Sequence, residues 1–399
     1  MEASKIYTPL LFQFVQDHLH EDPAQLLLKH HQNTSLDVKE AVQQISARKK
    51  AQVKLPSWVA NHNVIFPPSI SLEQCSSELT AKFKSRLAKG GSLVDLTGGF
   101  GVDTFFLGAH FDKVLYLERQ AKLAEIAAMN FSQLSEIRGK YEVRSGDSIE
   151  YLRETESAFD WIFVDPARRG GHNQKLYKLA DCEPDIISHW KMMARKARHI
   201  MVKASPMLDI KEALREIPAV SHLHVVGVKN EVKEILLIWE RDAEVGSPKV
   251  SCWNLSEEFD EFFEFSYEEE TLAQATFGFP EKYLVLPSAA ILKAGAFKSF
   301  SQQYGLKKLH PNTHVYTSDQ LIAPVQGRVF EILEEQKLDK KQIKKTFPSG
   351  KVNVLVRNHP LKPDMIKKKY KLQDGGDEYL FAVTTLDDSP KVYKCKRVG

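Results

Sequence analysis

Between Ser92 and Ala204, five short apolar runs alternate with stretches of helical spacing, and no other feature restricts the fold as tightly. The runs are "SLVDL" (92–96), "KVLYLE" (113–118), "YEVRSG" (141–146), "DWIFVD" (160–165) and "HIMVKA" (199–204). Near-continuous apolar strands separated by helices imply a mostly parallel sheet covered on both faces. Two further runs, "HLHVVGV" (222–228) and "VKEILLIWE" (232–240), are separated only by "KNE". That link is too short for a crossover, so this pair is expected to run antiparallel. The fold class predicted is α/β, with a Rossmann-like sheet over roughly 89–242.

The flanks read differently. Residues 1 to about 88 have helical apolar spacing, and "SLEQCSSELTAKFKSRLAKGG" predicts a helix with Ser71 as its N-cap, ending at Gly90–Gly91. After the sheet, "KYLVLPSAAILKAGAFKSFSQQYGLKKL" reads as strand then helix, and the tail reads β-α-β-α-β-β. With no internal repeat or low-complexity linker, the domains are expected to pack together.

Composition narrows the function classes. A hydrophobic share of 43% and a charged share of 27% fit an ordinary soluble protein, and apolar runs such as "ILLIW" are too short to span a bilayer. No charged-then-apolar leader opens the chain, and four scattered cysteines form no C-x-x-C pair. The expectation is a cytoplasmic protein without disulfides, without a membrane segment and without a thiolate metal site. The fourteen histidines show no H-x-x-x-H pair on a helical stretch, so no metal is implied. Net charge is only +3, but it is uneven: Glu240 to Glu281 is acidic, and from Lys337 onward "KLDKKQIKKTF", "MIKKKYK" and "KVYKCKR" are strongly basic. Such asymmetry points to a polyanion-facing region.

Ligands of doubly wound sheets bind beyond the carboxyl ends of the strands. The first end is "DLTGGFGVDT", where Asp95, Gly99 and Gly101 form D-x-x-x-G-x-G and Gly98 adds freedom. Glycines let the backbone approach a ligand without a Cβ in the way. Thr104 stands where the dinucleotide fingerprint G-x-G-x-x-G has its third glycine, which favours S-adenosylmethionine over NAD. At the second end, Glu118 is placed to accept from ribose hydroxyls. At the third, Asp147 either accepts from an adenine amino group or is a turn aspartate before a helix. Thr97, Asp103, Arg119 and Ser148 adjoin these positions and join the candidate cofactor set. The fourth end is Asp165-Pro166, the fifth Lys203, the sixth the Asn230–Glu231 turn. Six consecutive strand ends with polar or glycine-rich features are poorly explained as separate accidents.

The chain resembles the bacterial class I S-adenosylmethionine-dependent methyltransferases that carry a C-terminal THUMP-like domain. The strings that carry the resemblance include "FPPSISLEQCSSELTAKFK", "DLTGGFGVDT", "VDPARR", "VKASPMLD", "KNEVKEILL", "LPSAAILKAGAF", "LHPNTHVYTS" and "VRNHPLKPDMIKKKYKLQDGGDEYLFA". The resemblance implies an N-terminal helical domain (1–88), a methyltransferase domain (89–242), a ferredoxin-like segment (243–323) and a THUMP-like domain (324–399). THUMP domains proper bind RNA in RNA-modifying enzymes, so the implied partner is RNA, a tRNA or an rRNA. In related methyltransferases the segment before the first strand folds over the cofactor, which makes Gln74, Ser76 and Ser77 candidates there.

Amino-methyltransferases of nucleic acids hold the target amine with an Asp/Asn-Pro-Pro-aromatic turn at the fourth strand. Here the turn is Asp165-Pro166-Ala167-Arg168: the acid and first proline match, the second proline and aromatic do not. Asp165, Pro166 and Arg168 are the catalytic candidates, with Arg168 stacking on a base or clamping a phosphate. Carbon methylation of pyrimidines needs a cysteine nucleophile, and neither "DPARR" nor "KASP" has one. Arg169, Lys203, Asn230 and Glu231 are substrate-side candidates, with Arg357, Lys367, Lys368 and Lys369 on the basic tail. The expected activity is methylation of an RNA base at nitrogen. Two other readings stay open: a methyltransferase acting on a small molecule or protein, and a non-catalytic RNA-binding protein.

Overall fold

The computed structural model describes residues 5–31, 35–135, 140–168, 178–217, 219–244 and 246–399. The chain divides into two compact units, residues 1–221 with 235–246, and residues 222–234 with 247–399.

The first unit is built on a sheet. Its strands are β1 (Gly90–Asp95), β2 (Phe111–Glu118), β3 (Tyr141–Ser145) and β4 (Phe159–Val164), followed by the short β5 (Ala167–Arg168) and β6 (Cys182–Glu183), then β7 (Ala197–Ala204). β3, β2, β1, β4 and β7 lie side by side in that order, all parallel. The chain then enters β8 (Val220–Val228) and β9 (Glu231–Glu240), and β9 runs antiparallel to β7, with His199 opposite Glu240 and Ala204 opposite Ile235. Ser221 Oγ at the start of β8 donates to Ile238 O of β9 at 3.0 Å, as in the arms of the expected hairpin. β5 and β6 form a separate two-stranded ribbon.

Strand centres such as Val94, Ile162, Val164, Ile200 and Val202 are fully buried, which explains why the runs lack polar alternation. Helices cover the sheet, among them Val102–Gly108, Ala121–Leu134 and Ile186–Lys196.

The N-terminal helices (Pro9–Asp17, Pro23–His30, Val38–Ala51, Pro56–Ala60, Ser69–Gln74 and Glu78–Ser85) share one core with Phe100, Val102 and Ile126 of the sheet region. Trp58, fully buried, meets Phe100 edge-on at 4.9 Å. The segment 61–66 is tied down by polar side chains. Arg48 donates to the carbonyls of Val59, Asn61, His62 and Val64, and the buried Asn130 amide exchanges two hydrogen bonds with Ile65.

The single helix expected from Ser71 to Gly90 is corrected. Ser71 lies inside Ser69–Gln74, the chain becomes extended at Cys75, and Ser77 caps a second helix by accepting from Thr80 N at 3.2 Å. Gly90 already belongs to β1, paired with Phe111. The cap chemistry of Ser77 outcompetes continuous helical periodicity here.

In the second unit, β10 (Lys249–Leu255) runs parallel to β8 and antiparallel to β11 (Glu261–Ser266), so the acidic stretch contributes two paired strands, followed by helix Tyr267–Leu272. An eight-stranded sheet follows: β12 (Thr276–Phe277), β13 (Tyr283–Pro287), β14 (Lys307–His310), β15 (Thr313–Ser318), β16 (Gly327–Gln336), β17 (Asn353–Arg357), β18 (Glu378–Thr384) and β19 (Pro390–Arg397). Their order is β12-β14-β15-β13-β16-β19-β18-β17. Helices Lys340–Thr346 and Pro363–Tyr370 complete the expected β-α-β-α-β-β tail. One face of this sheet encloses a core of Leu284, Leu286, Val315, Phe330, Phe381 and Val383; Ile343 and Ile366 of the two helices pack in another with Val354.

Candidate active site at the strand ends

The loop after β1 is held open by its own chemistry. Asp95 is buried, with Oδ1 accepting from Thr97 N at 2.8 Å and Oδ2 accepting from Thr104 Oγ1 at 2.5 Å. Asp95 therefore faces inward and organises the loop, and Thr104 is its hydroxyl partner. Burial pushes the Asp95 carboxyl up to about 7. A Cβ on Gly98 would stand 2.2 Å from the Tyr116 ring, and Gly101 sits at φ +85°, so both positions require glycine. Gly99, at φ +55°, donates its N–H to Glu118 Oε2 at 2.9 Å, while Tyr116 Oη donates to its carbonyl. Glu118 Oε1 also accepts from Gln120 N at 2.8 Å. The second strand end thus closes directly on the glycine loop.

The fourth end is joined to the first. Asp165 N donates to Thr97 Oγ1 at 2.7 Å, and Thr97 Oγ1 lies 3.3 Å from Asp95 Oδ1. Asp165 Oδ2 is 2.6 Å from Lys203 Nζ, which also reaches Asp103 Oδ2 at 3.2 Å. Lys84, fully buried, places Nζ 3.1 Å from Asp103 Oδ1, and Ser76 Oγ donates to Asp103 Oδ2 at 2.7 Å. The result is an alternating chain, Lys84–Asp103–Lys203–Asp165, running from the buried interior to a carboxylate that is 38% exposed. Burial opposes ionisation of Asp103, but the ammonium charges of Lys203 and Lys84 outweigh it and hold its carboxyl below the usual range. Cys75 stands within the reach of these charges, yet burial pushes its thiol up to about 11, so it stays protonated at neutral pH.

Comparison with known proteins identifies the family. Residues 283–324 match a ferredoxin-like domain family, and residues 327–397 match a THUMP-like domain family. The whole chain aligns with the whole of a solved structure, a candidate methyltransferase from Porphyromonas gingivalis W83, at 30% identity and TM-score 0.89. The chain belongs to this family of S-adenosylmethionine-dependent methyltransferases with ferredoxin-like and THUMP-like regions. An uncharacterised S-adenosylmethionine-dependent methyltransferase of Mycobacterium tuberculosis is 24% identical over 219 residues, 53% of this chain and 56% of that protein. The chain thus spans about half the length of that curated relative. Ribosomal RNA small subunit methyltransferase J of Francisella tularensis subsp. novicida is 35% identical over 81 residues, 19% of this chain and 34% of that protein.

The residues present fit the family's cofactor. Gly98 and Gly101 have no room for a Cβ, Gly99 has positive φ, and a partly exposed carboxylate, Glu118, stands beside them. Other candidates of this methyltransferase fall into different settings. Asp147 caps helix Ser148–Glu154 by accepting from Ile149 and Glu150, with Ser148 as its first residue. Arg119 is exposed and pairs with Glu183 at 2.6 Å. Ser76 lies within the ion network, Ser77 is a helix cap, and Gln74 is exposed at the end of its helix. Pro166 is buried; the Arg168 side chain and Arg169 lie outside the described residues.

Asn230 and Glu231 belong to the second unit. Asn230 Oδ1 accepts from Ala289 N at 2.8 Å and its own N–H donates to Asn254, while Glu231 pairs with Lys233. Lys367 is paired with Asp374 at 2.6 Å, and Lys368 and Lys369 are exposed. Arg357 ends β17. Lys84 escaped the sequence reading because a lysine in "ELTAKFKS" looks like a solvated helix face; only its spacing from Thr80 and Ala81, both buried, signals otherwise.

Proposed function

We propose that this chain transfers a methyl group from S-adenosylmethionine to a nitrogen of an RNA base. The observation that carries the reading is the position of Asp165: its N–H is bound to Thr97 of the glycine loop and its Oδ2 lies 2.6 Å from Lys203. A carboxylate fixed there is suited to accept an N–H from an exocyclic amine and aim the nitrogen lone pair across the loop. Bound S-adenosylmethionine supplies an electrophilic methyl, so catalysis is chiefly alignment. Glu118 is the candidate for the ribose hydroxyls, and Gly98, Gly99 and Gly101 for close backbone approach. Lys203, itself held by Asp103, fixes the orientation of the Asp165 carboxylate. Its carboxylate oxygen is then the nearest base for the proton that the methylated nitrogen sheds.

Nitrogen is favoured over carbon because Cys75, whose thiol senses the charges of Asp103 and Lys203, is pushed up to about 11 by burial. RNA is favoured by three features together: the THUMP-like match, the similarity of 81 residues to an rRNA methyltransferase, and the lysine-rich tail. The test separates binding from turnover. Asp165→Ala is expected to lower methyl transfer at least a thousandfold, about 4 kcal/mol of barrier, while calorimetry shows cofactor affinity within about threefold of wild type. Collapse of cofactor binding would instead move Asp165 into the cofactor pocket.

A further inference from the structure

Three arginines of the second unit, Arg328, Arg357 and Arg397, come off the inner face of the eight-stranded sheet. Arg328 lies opposite Leu286 and two residues before Phe330; Arg397 lies directly opposite Phe330; Arg357 lies opposite Val383. Leu286, Phe330 and Val383 belong to one core cluster, so alternation along each strand places all three arginines on that core's side. The sheet curls at this end. Asn358 Nδ2, next after Arg357, donates to Thr313 Oγ1 of β15 at 3.0 Å, and Thr313 Oγ1 donates to Thr384 O of β18 at 2.8 Å. β17 therefore meets β15 across the interior, and the three side chains face a common space.

Their protein partners are few. Arg328 lies 5.9 Å from the Phe330 ring centroid, and its buried Nε has no hydrogen-bond partner among the described residues. Arg357 donates to its own neighbour's carbonyl, Val356 O, and Arg397 Nε donates to Gly399 O. The acids of the flanking positions point to the opposite face, where Glu331 pairs with Lys282 and Glu378 with Lys394. Burial, and then the charges of Arg357 and Arg397, hold the Arg328 guanidinium below its ordinary value. Among the described residues no Asp or Glu side chain pairs with these arginines, and Arg397 alone has an oxygen of Gly399 beside it; like charges gathered in this way repel one another and are unfavourable unless an anion joins them.

We propose that Arg328, Arg357 and Arg397 form a binding site for a phosphate group. Guanidinium forks match phosphate oxygens bidentately, and three of them around one space suit a terminal phosphate, with oxygens exposed on several sides, better than an interstrand carboxylate. The phosphate comes either from an RNA end or from free inorganic phosphate. The proposal stands independently of the methyl-transfer reading, since the site shares no residue with the strand-end network.

The test uses the full chain and inorganic phosphate, titrated at constant ionic strength against chloride and followed by thermal unfolding and calorimetry. Wild type is expected to bind phosphate saturably. Arg328→Met and Arg357→Met are each expected to bind at least tenfold more weakly. Without phosphate, Arg328→Met is expected to melt no lower than wild type, because repulsion is relieved; a merely structural arginine would lower the melting point instead. Short RNAs with a 5′-phosphate or a 5′-hydroxyl identify the source. Tighter binding of the phosphorylated RNA, lost in Arg357→Met, assigns the site to an RNA end; equal binding of the two RNAs beside saturable phosphate binding assigns it to free phosphate. Unsaturable binding, or identical phosphate responses in wild type and variants, overturns the proposal.

Discussion

Asp95 shows how a single residue position carries more than a motif letter. The carboxylate that opens D-x-x-x-G-x-G is buried and spends its oxygens on Thr97 and Thr104. Burial pushes its carboxyl to about 7, above its value in the unfolded chain. The folded state therefore holds a proton that the unfolded state releases, and stability falls as pH rises from about 4 to about 7, then levels. Asp95→Asn removes this contribution. Denaturation at several pH values should show wild type losing ground to the variant across that window, by at most about 1.4 kcal/mol per pH unit, with no further divergence above it. An unchanged difference between the two proteins across the window would mean that Asp95 titrates normally. The sequence made Asp95 legible as a conspicuous residue but not its direction, because the Thr104 hydroxyl that receives it is nine residues away. Lys84 was less legible still: only the fold brings its ammonium to Asp103.

At the scale of elements, β4 and β7 were legible because burial on both faces leaves an unbroken apolar signature, while β3, mostly exposed, was legible from its place in the strand–helix alternation. Helix ends were not, since capping by one serine decides them locally, as Ser77 does. The segment 61–66 is a further case. Its sequence, "NHNVIF", falls within the region expected to be helical, yet it lies outside any helix and is pinned by Arg48, Gln44 and Asn130. Arg48 alone serves four carbonyls, and it is 3% exposed. Arg48→Met keeps the packing volume and strips those acceptors of their donor. It should destabilise the chain by about 3 kcal/mol in urea unfolding. A change under about 0.5 kcal/mol, typical of a surface substitution, would show that the segment holds without it.

At the scale of the whole chain, family membership rests on a full-length likeness, while the substrate rests on the THUMP-like region and its charge. Removing everything after Ala323 is a poor probe of that region, because β16 pairs with β13 from Gly327 to Glu331 and the cut would strip the ladder. Charge reversal at Lys368 and Lys369, both exposed, leaves the ladder intact. The double change to glutamate should weaken RNA binding at least tenfold and flatten its salt dependence, with the melting temperature unchanged; undiminished binding would make the lysine helix a mere solubilising face. The acidic and basic halves were legible as charge, but the pairing of Lys367 with Asp374 was not, since a helix face of three lysines gives no sign of which one is neutralised.

Methyl transfer to RNA is tested with S-adenosylmethionine labelled in the methyl group. Purified chain is incubated with RNA from cells lacking its gene, and the RNA is digested to nucleosides for mass spectrometry. Label is expected in one N-methylated base, absent from RNA that already carries the modification and absent with Asp165→Ala. Label recovered only in protein or small molecules, with the RNA unmodified, would contradict it.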